Sequence, residues 1–97
     1  MLYPMCLGVL TVCLYINESN SLKFKRQVLR CLKDRIKANF NVSVSEIAEH
    51  ALWQRSCLGI ACIGKDKPYV NGVLSRVFDL MDTYSRAEVI DTKMELY

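Results

Sequence analysis

The sequence concentrates its chemistry in cations. If residues 22–39 form a helix, each step turns the side chain by about 100°, and Lys23, Arg26, Arg30, Lys33 and Lys37 share a sector about 80° wide. No acid falls inside that sector, and Asp34 only borders it. Solvated helix faces gain from mixing signs, whereas like charges four residues apart, such as Arg26 with Arg30 and Lys33 with Lys37, cost a few tenths of a kcal/mol each. An unmixed stripe therefore fits a polyanion or an acidic partner, with an ordinary solvated face as the alternative. Phosphate contacts along it would make binding steeply salt-dependent. Lys25 points about 100° away, among Leu29 and Ile36, and must either snorkel past the sheet edge or be paired. Its place in the first helical turn favours snorkelling. Farther on, His-Ala-Leu-Trp-Gln-Arg carries the only tryptophan, Trp53, two residues from Arg55. Tryptophan beside arginine suits an interface anchor or a base-stacking platform, and equally a lid folded back on the sheet or a helix end.

Other chemistries find little footing. His50 is the only histidine and follows Glu49, with no spaced Ser, Cys or Asp motif around it, so the two read as a surface loop pair. Gly8, Gly59, Gly64 and Gly72 form no phosphate-binding loop, and no paired histidines suggest a metal. The five cysteines, Cys6, Cys13, Cys31, Cys57 and Cys62, are odd in number and include no C-x-x-C pair. They read as small hydrophobes of a protein in a reducing cytoplasm. These features point away from an enzyme, and no cofactor or metal is expected.

Elements of regular structure must position these groups. The 97 residues, 52% hydrophobic and 24% charged with a net charge of +3, suit one globular domain spanning 1–97. A chain this short buries only roughly 60–65% of its unfolded surface, which allows a two-layer sandwich and hardly a deep pocket. Met5 to Ile16 is too short for a membrane helix, contains several β-branched residues and follows no basic segment, so it reads as a strand. Ser21 is a candidate N-cap for the helix from Leu22 to about Asn39, with Leu22, Leu29, Leu32, Ile36 and Phe40 on its apolar arc. Val42 to Glu49 alternates as a half-buried strand, and Cys57 to Gly64 is apolar enough to be central. Asp66 caps a second helix with Pro68 in its first turn, and Val70, Val73, Leu74, Val77, Leu80 and Met81 form its buried stripe to near Tyr84. Ala87 to Met94 closes the chain as a strand with Ile90, Thr92 and Met94 on one side. The order β-α-β-β-α-β with short connections predicts a ferredoxin-like α+β sandwich: a four-stranded antiparallel sheet with both helices on one face. The other face, with Leu7, Val9, Cys13 and Ile63 on it, is left for water, nucleic acid or another subunit.

Several segments carry a family resemblance: G-V-L-T-V at Gly8 to Val12, S-L-K-F-K-R at Ser21 to Arg26, F-N-V-S-V at Phe40 to Val44, L-W-Q-R at Leu52 to Arg55 and L-G-I-A at Leu58 to Ala61. Together they run from Met5 to about Glu95, and the chain resembles the YlxP-like family of small bacterial proteins. The resemblance implies a ferredoxin-like fold and a cytoplasmic protein often encoded beside translation and ribosome-maturation factors, and it brings no catalytic residues. Family members often carry Glu where Phe24 stands, so a Ser-x-x-Glu capping box is lost here. Met1 to Pro4 reads as an extension before the usual start, with Met5 as an alternative initiator.

RNA-recognition motifs share the expected fold and stack bases on aromatics of the central strands. Arg55 to Gly64 has no Phe or Tyr, and Tyr15 is the lone aromatic of the first strand, so backbone contact is the form of RNA binding expected. The reading is a non-enzymatic RNA- or ribosomal-subunit-associated protein, with Lys23, Lys25, Arg26, Arg30, Lys33, Lys37, Trp53 and Arg55 as candidate RNA-binding residues. The alternative is a homo-oligomeric interaction module, such as a homodimer, that covers the open sheet face. Neither reading calls for a membrane or a small-molecule substrate.

Overall fold

A computed structural model describes residues 2–97. Six elements follow one another: β1 (Cys6–Tyr15), α1 (Leu22–Asn39), β2 (Ser43–Ala48), β3 (Arg55–Gly64), α2 (Lys67–Asp82) and β4 (Glu88–Leu96). Both helices start at the caps read from the sequence. The Ser21 hydroxyl accepts from the Phe24 N–H at 3.1 Å, and the Asp66 carboxylate accepts from the Tyr69 N–H at 2.9 Å, with Pro68 in the first turn of α2. Phe24, in the place of a capping-box Glu, instead lies under the Arg86 guanidinium, 5.6 Å from its ring centroid.

The strands form one antiparallel sheet in the order β2-β3-β1-β4, so β1 and β3 are central and β2 and β4 are edges. This is the ferredoxin-like α+β arrangement. Strand alternation sends Leu10, Val12 and Leu14 of β1 and Leu58 and Ile60 of β3 to one face, where they join Val28, Leu29, Leu32 and Ile36 of α1 and Val70, Val73, Leu74, Val77 and Met81 of α2 in a single core. Leu22, Phe40 and Leu80 are half-buried at its margin. Gly8 lets α2 come down onto β1. A Cβ there would sit 2.5 Å from a Val70 methyl carbon and 2.7 Å from Leu74 Cδ1.

Leu7, Val9, Thr11, Cys13 and Tyr15 point to the opposite face, which the chain's own helices leave open. Two bulges adjust the edges. In β4 the register slips between the partners of Cys13 and Leu14, so Val89 and Met94 both pack on the core while Ile90 is pushed out to solvent. The expected grouping of Ile90 with Thr92 and Met94 is thereby corrected. In β2 alternation puts Glu46 in the phase of Val44, toward the helices, and leaves Ile47 exposed beside Gly59, and the slip follows between Glu46 and Ala48.

The expectation of five unbonded cysteines also needs correction. Cys6 and Cys62 are buried thiols, but Cys31 is exposed on α1, and Cys13 and Cys57 are joined in a disulfide. The cause is register: Cys13 and Cys57 are direct partners across β1 and β3, with Cα atoms 4.1 Å apart, although 44 positions separate them in sequence. Burial raises the Cys62 thiol above its ordinary pKa, and the neighbouring Cys6 raises it further. Among the described residues, no helix is long and apolar enough to cross a membrane.

Candidate functional site

Lys25 is the most consequential side chain that sequence reasoning misplaced. It is 1% exposed and does not snorkel. Its ammonium lies 2.9 Å from Glu46 Oε2 and donates to the carbonyl oxygens of Glu49 at 2.7 Å and Leu52 at 2.8 Å, with a longer contact to His50 at 3.4 Å. The reason is the β2–β3 loop, residues 49–54, which closes over the first turn of α1 and replaces water with its carbonyls. Glu49, at the start of that loop, takes the left-handed backbone conformation, φ 65°, which is uncommon for a residue with a side chain. Lys25 is therefore withdrawn from the candidate RNA contacts, because no surface ligand can reach its charge.

Glu46 completes the buried cluster. Burial alone would raise its carboxyl, but the hydrogen bond from the buried Ser56 hydroxyl at 2.6 Å and the Lys25 ammonium outweigh that and hold it below the ordinary carboxylate value. The His50 ring contributes through its proximity; Nε2 lies 3.0 Å from the Glu46 carbonyl oxygen. Glu49 does not pair with His50 as expected. Its carboxylate meets Arg55 Nε at 3.3 Å and lies 3.7 Å from Cys57 Sγ.

The loop so anchored presents Trp53 to solvent, 54% exposed, and not as a lid. Trp53, Leu52, Ala51, Gln54 and Arg55 line a shallow groove of about 560 Å³ with Tyr15 from the end of β1. The loop backbone is held at several points beyond Lys25. The Ile16 N–H donates to the Gln54 carbonyl at 2.8 Å, the Gln54 amide donates to the Ser19 carbonyl at 3.2 Å, and the Leu52 N–H donates to the Glu49 carbonyl at 3.2 Å. Tyr15 Oη donates to Gln54 Oε1 at 3.5 Å.

The basic stripe forms as the helical spacing predicts. Lys23, Arg26, Arg30 and Lys37 are exposed and Lys33 is half-buried. Among the described residues, the ion pairs are Lys25–Glu46, Arg55–Glu49 and Lys93–Glu95, so none of the five stripe cations has a carboxylate within 4.0 Å. Arg35 lies off the stripe, over the Tyr84 ring at 5.3 Å. The groove sits at the end of the open sheet face, where Tyr15 points away from the helices, while the stripe runs along the outer face of α1. They are two surfaces, not one.

The family model for a protein of unknown function, DUF503, matches residues 7–94. The chain belongs to the DUF503 family. Consistent with that, it is 35% identical over 82 residues to the uncharacterized protein YlxP of Bacillus subtilis (strain 168), a match covering 84% of this chain and 89% of that one. The fold recurs in the de novo designed protein Foldit4, with a TM-score of 0.56 at 11% identity over 95% of this chain and 96% of the design, a likeness of architecture alone. The YlxP-like resemblance read from the sequence is thus confirmed. Being of unknown function, the DUF503 family assigns no role to any residue, and the site rests on the geometry above.

The Lys25 cluster generates a stability prediction. Lys25→Met leaves Glu46 and the loop carbonyls without their cation and should lower the unfolding free energy by about 3 kcal/mol. Glu46→Gln should cost less, since the carbonyls still hold the ammonium. Because the folded Glu46 carboxyl is held below its unfolded value, its contribution is present above about pH 4.3 and fades as pH falls through the folded value. Urea unfolding from pH 3 to 7 should therefore show a shallower acid limb in Glu46→Gln; identical limbs would contradict this account of the cluster.

Proposed function

We propose that the protein is a non-enzymatic RNA-associated protein of the cytoplasm that holds the phosphate backbone with the outer face of α1, and that its target lies on a ribosomal subunit or its RNA. The observation that carries the proposal is the unneutralised stripe. Lys23, Arg26, Arg30, Lys33 and Lys37 lie along one face of a helix that is fixed to the core by Val28, Leu29, Leu32 and Ile36. A row of cations spaced alternately three and four residues, about 4.5 to 6 Å along the helix axis, is a template for consecutive phosphates. The family's association with translation genes, which the resemblance implies, favours RNA over other polyanions. No step of the proposal needs a cofactor or metal. In a reducing compartment the Cys13–Cys57 disulfide would be open to reduction.

A second reading is a homodimer through the open sheet face. It is favoured by Leu7 and Ile63, direct partners across β1 and β3 that remain 43% and 63% exposed. The two readings are compatible, since a dimer would carry two basic helices.

Co-sedimentation with ribosomal subunits and extracted ribosomal RNA tests the first reading. Binding should weaken with salt at a log–log slope of about −3 to −4, as expected for five contacts on a single strand. The double substitution Arg26→Glu and Arg30→Glu should weaken it at least tenfold at low salt with thermal stability unchanged. Salt-independent binding, or an unaffected double variant, would overturn the proposal. For the second reading, light scattering at tens of micromolar should give twice the chain mass, 11.1 kDa, and a monomer would remove it.

A further inference from the structure

We infer that the groove between Trp53 and Tyr15 receives an unpaired nucleobase of the RNA whose backbone lies on α1. The inference rests on the RNA reading above and narrows it, because a duplex offers no free base and the target must then contain a single-stranded stretch beside the contacted phosphates.

Three observations carry it. The first is preorganisation. A large aromatic side chain exposed on a loop usually costs conformational entropy when it is fixed by a ligand, but this loop is already immobilised before any ligand arrives. Lys25 holds the carbonyls of Glu49 and Leu52, the Ser19 carbonyl holds the Gln54 amide, and Ile16 holds the Gln54 carbonyl. Core packing does not explain the rigidity, because Trp53 itself contributes little to the core.

The second is the chemistry of the lining. Trp53 and Tyr15 supply two aromatic surfaces and Leu52 an apolar one, which suit a flat ring. The third is charge. Arg55 Nε is engaged by Glu49, which makes the rim close to neutral, while the terminal guanidinium nitrogens accept no such claim from any described residue. A near-neutral groove disfavours a bare phosphate and suits an uncharged ring, and the free guanidinium nitrogens are donors for the edge of that ring. The phosphates are left to the stripe on α1. A proline-rich peptide also likes aromatic grooves, but it would have no use for the cations of α1.

Trp53 is the only tryptophan, so its emission reports on the groove directly. The full chain is titrated at low salt with an unstructured 12-nucleotide RNA, with an abasic strand of the same length and with a proline-rich peptide. The RNA should quench Trp53 emission, and the abasic strand should bind without quenching. Trp53→Ala should weaken RNA binding, followed by anisotropy, about tenfold while leaving the abasic strand and the salt slope unchanged. Trp53→Phe should retain most of the affinity. Because Trp53 is exposed, these variants are expected to fold, and an unchanged unfolding midpoint checks it.

RNA binding without quenching, with full affinity in Trp53→Ala, would overturn the base site and leave the stripe reading intact. Quenching and affinity that survive Arg26→Glu with Arg30→Glu would support the base site and overturn the stripe. Binding of neither strand overturns both, and quenching by the peptide but not the RNA overturns the base site in favour of a protein ligand.

Discussion

An ammonium group removed from water must find its solvation elsewhere, and in this protein it finds it in the β2–β3 loop. Lys25 is surrounded by the Glu46 carboxylate and the carbonyls of Glu49, His50 and Leu52. A lysine has three protons to give, and each must be met at close range or the burial is strongly unfavourable. That requirement constrains the loop more tightly than its own sequence does. It draws residues 49–52 inward, with Glu49 in a left-handed conformation, so the segment that follows is thrown outward with Trp53 on it. Arg55 is then aimed by the Glu49 carboxylate at the start of β3. The loop side of the groove is thus placed by a side chain that takes no part in it, while Tyr15 is placed by the pairing of β1 with β3.

The same helix turn separates two kinds of positive charge. Lys25 is neutralised and serves the fold, whereas Arg26, the next residue, points out and has no acidic partner. One helix can do both because side chains 100° apart see different surroundings. The buried face of α1 fixes the direction of the stripe, and the stripe would lose its spacing if that face were loose. The open side of the sheet is a third surface, crossed by the Cys13–Cys57 link between the two central strands. It ends at the groove, since Tyr15 and Arg55 are the next partners on that face.

Much of this architecture was legible in the residues. The periodicity switches, the caps at Ser21 and Asp66, the apolar stripes of both helices and the cationic sector of α1 are local features, and each appears where its spacing places it. What was not legible depends on pairing between distant segments. The Cys13–Cys57 bond needs the register of β1 on β3, and the exposure of Ile90 needs a bulge that alternation does not announce. The exposure of Trp53 depends on a loop held by a helix 24 or more residues earlier. One signal was available for the Lys25 cluster. Val42, Val44 and Glu46 share the core-facing phase of β2, and an acid in that phase requires a buried cation. Lys25, out of place on its own apolar arc, was the matching anomaly.

Lysine reactivity tests the account most directly, because it reads the buried and the working cations in one experiment. The chain has seven lysines, at 23, 25, 33, 37, 65, 67 and 93. Brief acetylation of the folded protein, followed by peptide mass spectrometry, should modify Lys23 and Lys37 readily, Lys33 more slowly and Lys25 only after unfolding. Added ribosomal RNA should protect Lys23, Lys33 and Lys37 and leave Lys65, Lys67 and Lys93 unchanged. Early modification of Lys25, or protection confined to Lys65, Lys67 and Lys93, would contradict the account.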